Sequence, residues 1–167
     1  MKTCFVIGHR EFSPNEELKE YLEKLFEDLI KKHFVDTFYF GRKGYFDDYC
    51  YKIVTKKMKK YTHITRVYIA DDYRDYDRFD RRCKLQEFYE DIEYFPLKYD
   101  YWYKRLYFRN IATIDNSDFV IFYTHIDPNS GSYKAFKYAK SKNFLFDKEI
   151  TESPQVIVAE RNLLTQK

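Results

Sequence analysis

Glycine is scarce in this chain, with only 4 in 167 residues. All of them fall in three short turns: Gly8-His9-Arg10, Gly41-Arg42-Lys43-Gly44-Tyr45-Phe46-Asp47 and Asn129-Ser130-Gly131-Ser132. The chain has no flexible linker, no low-complexity segment and no internal repeat. Cysteine is sparse too. Cys4, Cys50 and Cys83 are odd in number and lack metal-ligand spacing, which fits a reduced, cytoplasmic compartment. No apolar run reaches the length of a membrane span. A strand begins within the first few residues, leaving no room for a signal peptide. Neither charge sign dominates. The 30 Lys and Arg against 27 Asp and Glu give a net +3, which does not mark a nucleic-acid binder.

Aromatic residues are abundant, with 18 Tyr and 16 Phe. Tyr, Phe, Lys and Asn share AT-rich codons, so this excess is not read as a base-stacking platform. Apolar content of 44% beside 34% charge describes a globular chain, and 167 residues suit one domain with a sizeable core. That domain spans 1–167, with little pattern in its last twenty or so residues.

The apolar run at 3–7, closed by Gly8, predicts a buried parallel strand. Ser13-Pro14-Asn15-Glu16 reads as a capping box with Pro at the first helical position, opening a helix to about residue 32. A second strand is expected at 37–40. A helix follows with Phe46, Cys50, Ile53, Val54, Met58 and Tyr61 on one face and Asp47 at its start. Residues 64–70 form the third strand, and 71–80 read as a solvated charged loop rather than a lid. A short helix is expected at 85–94, broken by Pro96. A further helix is expected at 101–115, with Leu106, Ile111 and Ile114 inward. Residues 119–123 form the fourth strand, 132–142 a helix and 143–146 the fifth strand, and 156–159 add an edge strand. Alternating apolar strands and helices predict an α/β, Rossmann-like three-layer sandwich. Its sheet is mainly parallel, with strand order 3-2-1-4-5. The turns after Ile7 and Tyr123 then face each other across the crevice where such sheets bind ligands.

Glycine at three strand ends suits close backbone approach to a phosphate-bearing or nucleotide-like ligand, although glycine also serves ordinary tight turns. Arg10 offers a planar, fixed cation, and His9 a hydrogen-bond donor. The second turn offers backbone N–H groups and a helix N-terminus, with Gly41, Lys43, Gly44, Phe46 and Asp47 as candidates. It is neither a Walker A loop nor a dinucleotide fingerprint. Ser130, Gly131 and Ser132 open another helix, where capping is the competing role. Arg109 and Asn110 face either the crevice loops or a ligand. Asp115 and Asp118 read as structural. No Ser/His/Asp set stands out, no cofactor or metal is implied, and the four His at 9, 33, 63 and 125 are scattered.

Cys4-Phe5-Val6-Ile7-Gly8-His9-Arg10 resembles the opening of the SLOG superfamily, in its YpsA-like branch. Phe40-Gly41 through Gly44-Tyr45-Phe46-Asp47 resembles that branch's Gly-x-x-Gly-x-Phe-Asp pattern. His63-Ile64, Arg109-Asn110 and Ser117-Asp118 continue the resemblance, which covers about residues 3–146. It implies a Rossmann-like domain related to the cytokinin-activating LOG enzymes and the DNA-processing protein DprA. Some members sense nucleotide-derived signals, including ADP-ribose derivatives in bacterial antiviral systems. There are two departures. The fourth-strand loop carries Ser130-Gly131-Ser132 where the family has a Gly-Gly pair. Tyr133-Lys134-Ala135-Phe136 stands where LOG-type hydrolases place glutamates, which removes the acid/base group for cleaving a glycosidic bond.

The expected function is therefore binding of a nucleotide or NAD- or ADP-ribose-derived small molecule, as a sensor or sequestering module, without turnover. Two alternatives stand beside it: a LOG-type hydrolase of an N-glycosidic or phosphoribosyl bond, and a DprA-like single-stranded DNA binder or cell-division scaffold. The expected partner is a nucleotide-like small molecule, with neither nucleic acid nor membrane, and self-association is possible.

Overall fold

Side chains alternate along the first strand: Cys4 and Val6 point to one face, Phe5 and Ile7 to the other, and all four are buried. A strand buried on both sides needs helices on both sides. The computed structural model, which describes residues 1–41, 44–96 and 104–165, has that form. Its elements begin β1 (Lys2–Gly8), α1 (Glu16–Lys31), β2 (Val35–Phe40), α2 (Tyr45–Lys57) and β3 (Thr65–Ile69). Then come α3 (Tyr73–Asp77), α4 (Phe79–Gln86), β4 (Asp91–Glu93) and α5 (Arg105–Asp115). The chain closes with β5 (Phe119–Thr124), α6 (Gly131–Lys140), β6 (Phe144–Phe146) and β7 (Gln155–Arg161).

The seven strands form one sheet in the order β4-β3-β2-β1-β5-β7-β6. The pairs from β4 across to β5 are parallel, and β7 runs antiparallel to both of its neighbours. Leu22, Phe26 and Leu29 of α1 pack with Phe46, Cys50 and Val54 of α2 on one face. Ile114 of α5 packs with Ala135, Phe136 and Ala139 of α6 on the other. The molecule is a Rossmann-like α/β sandwich with a mainly parallel sheet.

The order 3-2-1-4 holds for β3, β2, β1 and β5, but the expected fifth strand is not next. β7 lies between β5 and β6, so 156–159 is not an edge. Six residues of β7 pair with β5, and Val156, Ile157 and Ala159 are buried, whereas β6 has three residues and exposes Leu145. The longer, more apolar strand takes the inner place. The expected helix at 85–94 is also corrected. α4 already ends at Gln86, and Asp91–Glu93 adds β4 because Ile92 is buried and Ala70 N–H donates to Glu93 O at 2.8 Å. The charged 71–80 segment carries α3 and the start of α4 rather than a loop, yet neither helix buries a residue.

Two local expectations shift as well. The cap of α1 is Asn15, not Ser13: its side chain accepts from Leu18 N–H at 2.8 Å, which places Pro14 just before the helix. In α5 the fully buried positions are Arg109, Asn110, Thr113 and Ile114, while Leu106 and Ile111 are only half-buried. Residues 101–103 of that expected helix lie outside the described residues. Asp118 is structural: its Oδ2 accepts from Thr3 N–H at 2.9 Å. Arg161 donates to the carbonyls of Ile114 and Asp115 at 2.8 and 3.0 Å, holding a cation at the C-terminus of α5. Among the described residues, no helix is long and apolar enough to cross a membrane.

Candidate functional site

β1 and β5 pair side by side, yet the chain leaves them toward opposite faces of the sheet. A crevice opens beyond their carboxyl ends. The turn after β1 begins there, and His9 N–H donates to Tyr123 O at 3.1 Å. Beneath it Phe46 is fully buried, stacking on Tyr123 with centroids 5.2 Å apart, while Phe12 meets Phe46 edge-on at 5.1 Å. Phe46 thus supports the turn from the core. A Cβ on Gly8 would overlap the Phe46 ring, so this glycine permits the close approach of α2.

The second turn is tied to the first. Gly44 has φ 140°, a conformation open to glycine, and a Cβ there would strike the Arg10 backbone. Tyr45 N–H donates to Arg10 O at 2.9 Å, which locks the two turns together. Asp47 is buried in the first turn of α2, where the helix dipole favours its charge. Lys43 lies outside the described residues.

Arg109 reaches this region from α5. Its Nη1 donates to Ile69 O at 3.2 Å and Gly41 O at 3.3 Å, and its Nε to Asn110 Oδ1 at 3.1 Å. The guanidinium fills the space that a Cβ on Gly41 would need. Arg109 and Asn110 therefore brace the ends of β2 and β3. Burial pulls the Arg109 pKa down, opposed by the charges of Asp71 and Asp47. An arginine remains protonated under such a load.

The third turn opens α6. Ser130 caps it, its Oγ accepting from Tyr133 N–H at 3.4 Å. The first-turn N–H groups that follow have no partner inside a helix. A side chain at Gly131 would meet open space. Of the four glycines, then, Gly8, Gly41 and Gly44 accommodate contacts within the protein, and Gly131 alone keeps a helix start clear.

Gly8, His9, Arg10, Gly41 and Asp47 line one cleft of about 610 Å³ with Arg109, Asn110, Ser130, Gly131 and Ser132. Gly44 and Phe46 do not line it: Phe46 is fully buried in the core, and Gly44 packs against the Arg10 backbone. Arg10 is exposed, and among the described residues its guanidinium has no hydrogen-bond or ion-pair partner. Among those same residues no group of three His, Cys, Asp or Glu is arranged to hold a metal.

The structure adds His125, Asp127 and Thr124, which the sequence reading passed over. His125 Nδ1 lies 2.7 Å from His9 Nε2. His9 Nδ1 faces the hydroxyls of Ser130 and Ser132 at 3.5 Å each. Those hydroxyls are 2.7 Å apart, and Ser132 Oγ is 3.0 Å from Thr124 Oγ1. His9 is shifted below the ordinary histidine pKa by burial and by His125, with Asp127 opposing. The two histidines are distant in sequence, so their pairing was hidden. The available signal was position, since His125 directly follows β5 at the switch point.

No protein-family model matches the chain, and no curated protein matches it.

Proposed function

We propose that the chain is a binding module for a nucleotide or an NAD- or ADP-ribose-derived small molecule, acting as a sensor or sequestering protein without turnover. One observation carries this reading: two glycine turns and the start of α6 converge on a single cleft beside Arg10, which has no partner among the described residues. A helix start with open N–H donors attracts anions, and a guanidinium matches phosphate geometry. The resemblance to the YpsA-like branch of the SLOG superfamily supports the same ligand class. A cleft of about 610 Å³ is of ordinary size for a small-molecule site.

Calorimetry with ADP-ribose, its cyclic isomers, NAD and AMP tests this, followed by chromatography of the recovered ligand. At least one binds and returns intact. Arg10→Ala weakens that binding by about 1.5–3 kcal/mol, the range for a charge-assisted hydrogen bond. Absence of affinity for all four contradicts the reading. A second reading, LOG-type hydrolysis, draws on the half-buried His9–His125 pair and the Asp127 carboxylate in the same cleft. Steady release of base or ribose phosphate selects it.

A further inference from the structure

His9 and His125 approach from the two sides of the crevice, one after β1 and the other after β5. At 2.7 Å, one ring nitrogen carries the hydrogen and the other the lone pair. Two imidazolium rings cannot keep this contact, because two N–H groups would face each other. The pair therefore carries at most one positive charge. Its outer nitrogen, His9 Nδ1, points at the two serine hydroxyls that begin α6. Adding one proton to His9 leaves Nε2–H donating to His125 and makes Nδ1–H a charged donor. A single proton thus converts the α6 start into a cationic pocket without breaking the pair.

Building on the nucleotide-ligand reading, we infer that this cluster is a proton-linked subsite for a terminal phosphate monoester. The phosphate lies against the first turn of α6 between His9 and Arg10, and its binding draws one proton from solvent onto the His9–His125 pair. A phosphomonoester dianion concentrates its charge on one group with three acceptor oxygens, and its second ionisation falls near the histidine range. A phosphodiester carries a single charge and induces protonation less strongly.

The charged surroundings are mixed. Asp127 on the β5–α6 loop favours the charged pair, while burial and His125 disfavour it, and Arg10 after β1 lines the same cleft. Tyr123 of β5 presents its ring to His9 with centroids 6.0 Å apart. Asp47 from α2, Arg109 from α5 and Glu11 line the same cleft. Burial and His125 keep His9 neutral in the free protein, which leaves it able to accept a proton when an anion arrives.

Calorimetry at pH 7.5 in buffers of differing ionisation enthalpy tests the inference, with AMP, the methyl ester of AMP and ADP-ribose as probes. AMP binds about tenfold or more tightly than its methyl ester, a difference of about 1.4 kcal/mol. It takes up a substantial fraction of one proton. His9→Asn removes the uptake and most of the preference. Equal affinity of AMP and its ester overturns the inference, as does uptake that persists in His9→Asn, which would place the proton on the phosphate. The wild-type ester comparison stands even if the variant misfolds. If ADP-ribose binds while AMP shows neither preference nor uptake, only this inference falls. If none of the three binds, the nucleotide reading falls with it.

Discussion

At Arg109 a guanidinium only 4% exposed sits in the middle of a helix, and burying a charge is tolerated only where partners surround it. Here the partners are the carbonyls of Gly41 and Ile69, the Asn110 amide oxygen and the nearby charges of Asp71 and Asp47. The residue orders the ends of two neighbouring strands, and with them the turn that begins at Gly41. Arg109→Met keeps much of the volume but leaves those carbonyls without donors and the carboxylates without a countercharge. It should cost about 2–4 kcal/mol, read as a lower denaturant midpoint with little change in slope. An unchanged midpoint would show that the brace is dispensable. Cys4 and Cys50 are also buried, and burial pushes both thiols well above the ordinary range, so neither is a nucleophile.

The link from α1 to β2 carries a local conflict between conformation and side chain. Phe34 has φ 58° and is 74% exposed, so a bulky residue occupies backbone space that favours glycine while burying little. Phe34→Gly should raise stability by about 0.5–1 kcal/mol, after allowing for glycine's larger unfolded-state entropy. A thermal melt that falls instead would mean the ring contributes more packing than its exposure suggests. Elements with strong local patterns were legible in the sequence: β1 and β5 as continuous apolar runs, α1 from its helical spacing. β4 was not, because three residues with a single buried Ile92 make no pattern. The place of β7 was hidden for another reason. Its apolar core shows that it is a strand, but only the six-residue ladder with β5 puts it inside the sheet. The site divides the same way. Gly8, His9, Arg10 and the α6 start are visible as turns after strands, while the His9–His125 contact spans 116 positions and exists only once β1 and β5 are paired.

Across the whole molecule, stability in acid depends on carboxylates that tie elements together. Glu27 of α1 is held at about 2, first by the Tyr61 hydroxyl and then by Lys57 at the end of α2 and Lys60 just beyond it. Asp72 is held at about 2, chiefly by Arg74, with Arg81 adding to it. Because both folded pKa values lie below the ordinary ones near 4.5 and 3.8, their contribution is complete above those values. It is lost as pH falls toward about 2, since protons then bind the unfolded chain more readily. Glu27→Gln should lower stability at pH 7 and flatten the decline below pH 4.5, as followed by denaturant titrations at several pH values. A parallel, undiminished decline would remove Glu27 from the account. The cleft at the carboxyl edge of the sheet is the central claim, and amide chemical-shift mapping on titration with AMP and ADP-ribose tests it most directly. The account predicts that the largest shifts fall on Gly8, His9 and Arg10, on Gly44, and on Ser130, Gly131 and Ser132. The groove between α5 and α6 around Lys137 and Tyr138 should stay quiet. Shifts centred on that groove, or no shifts at millimolar ligand, would contradict it.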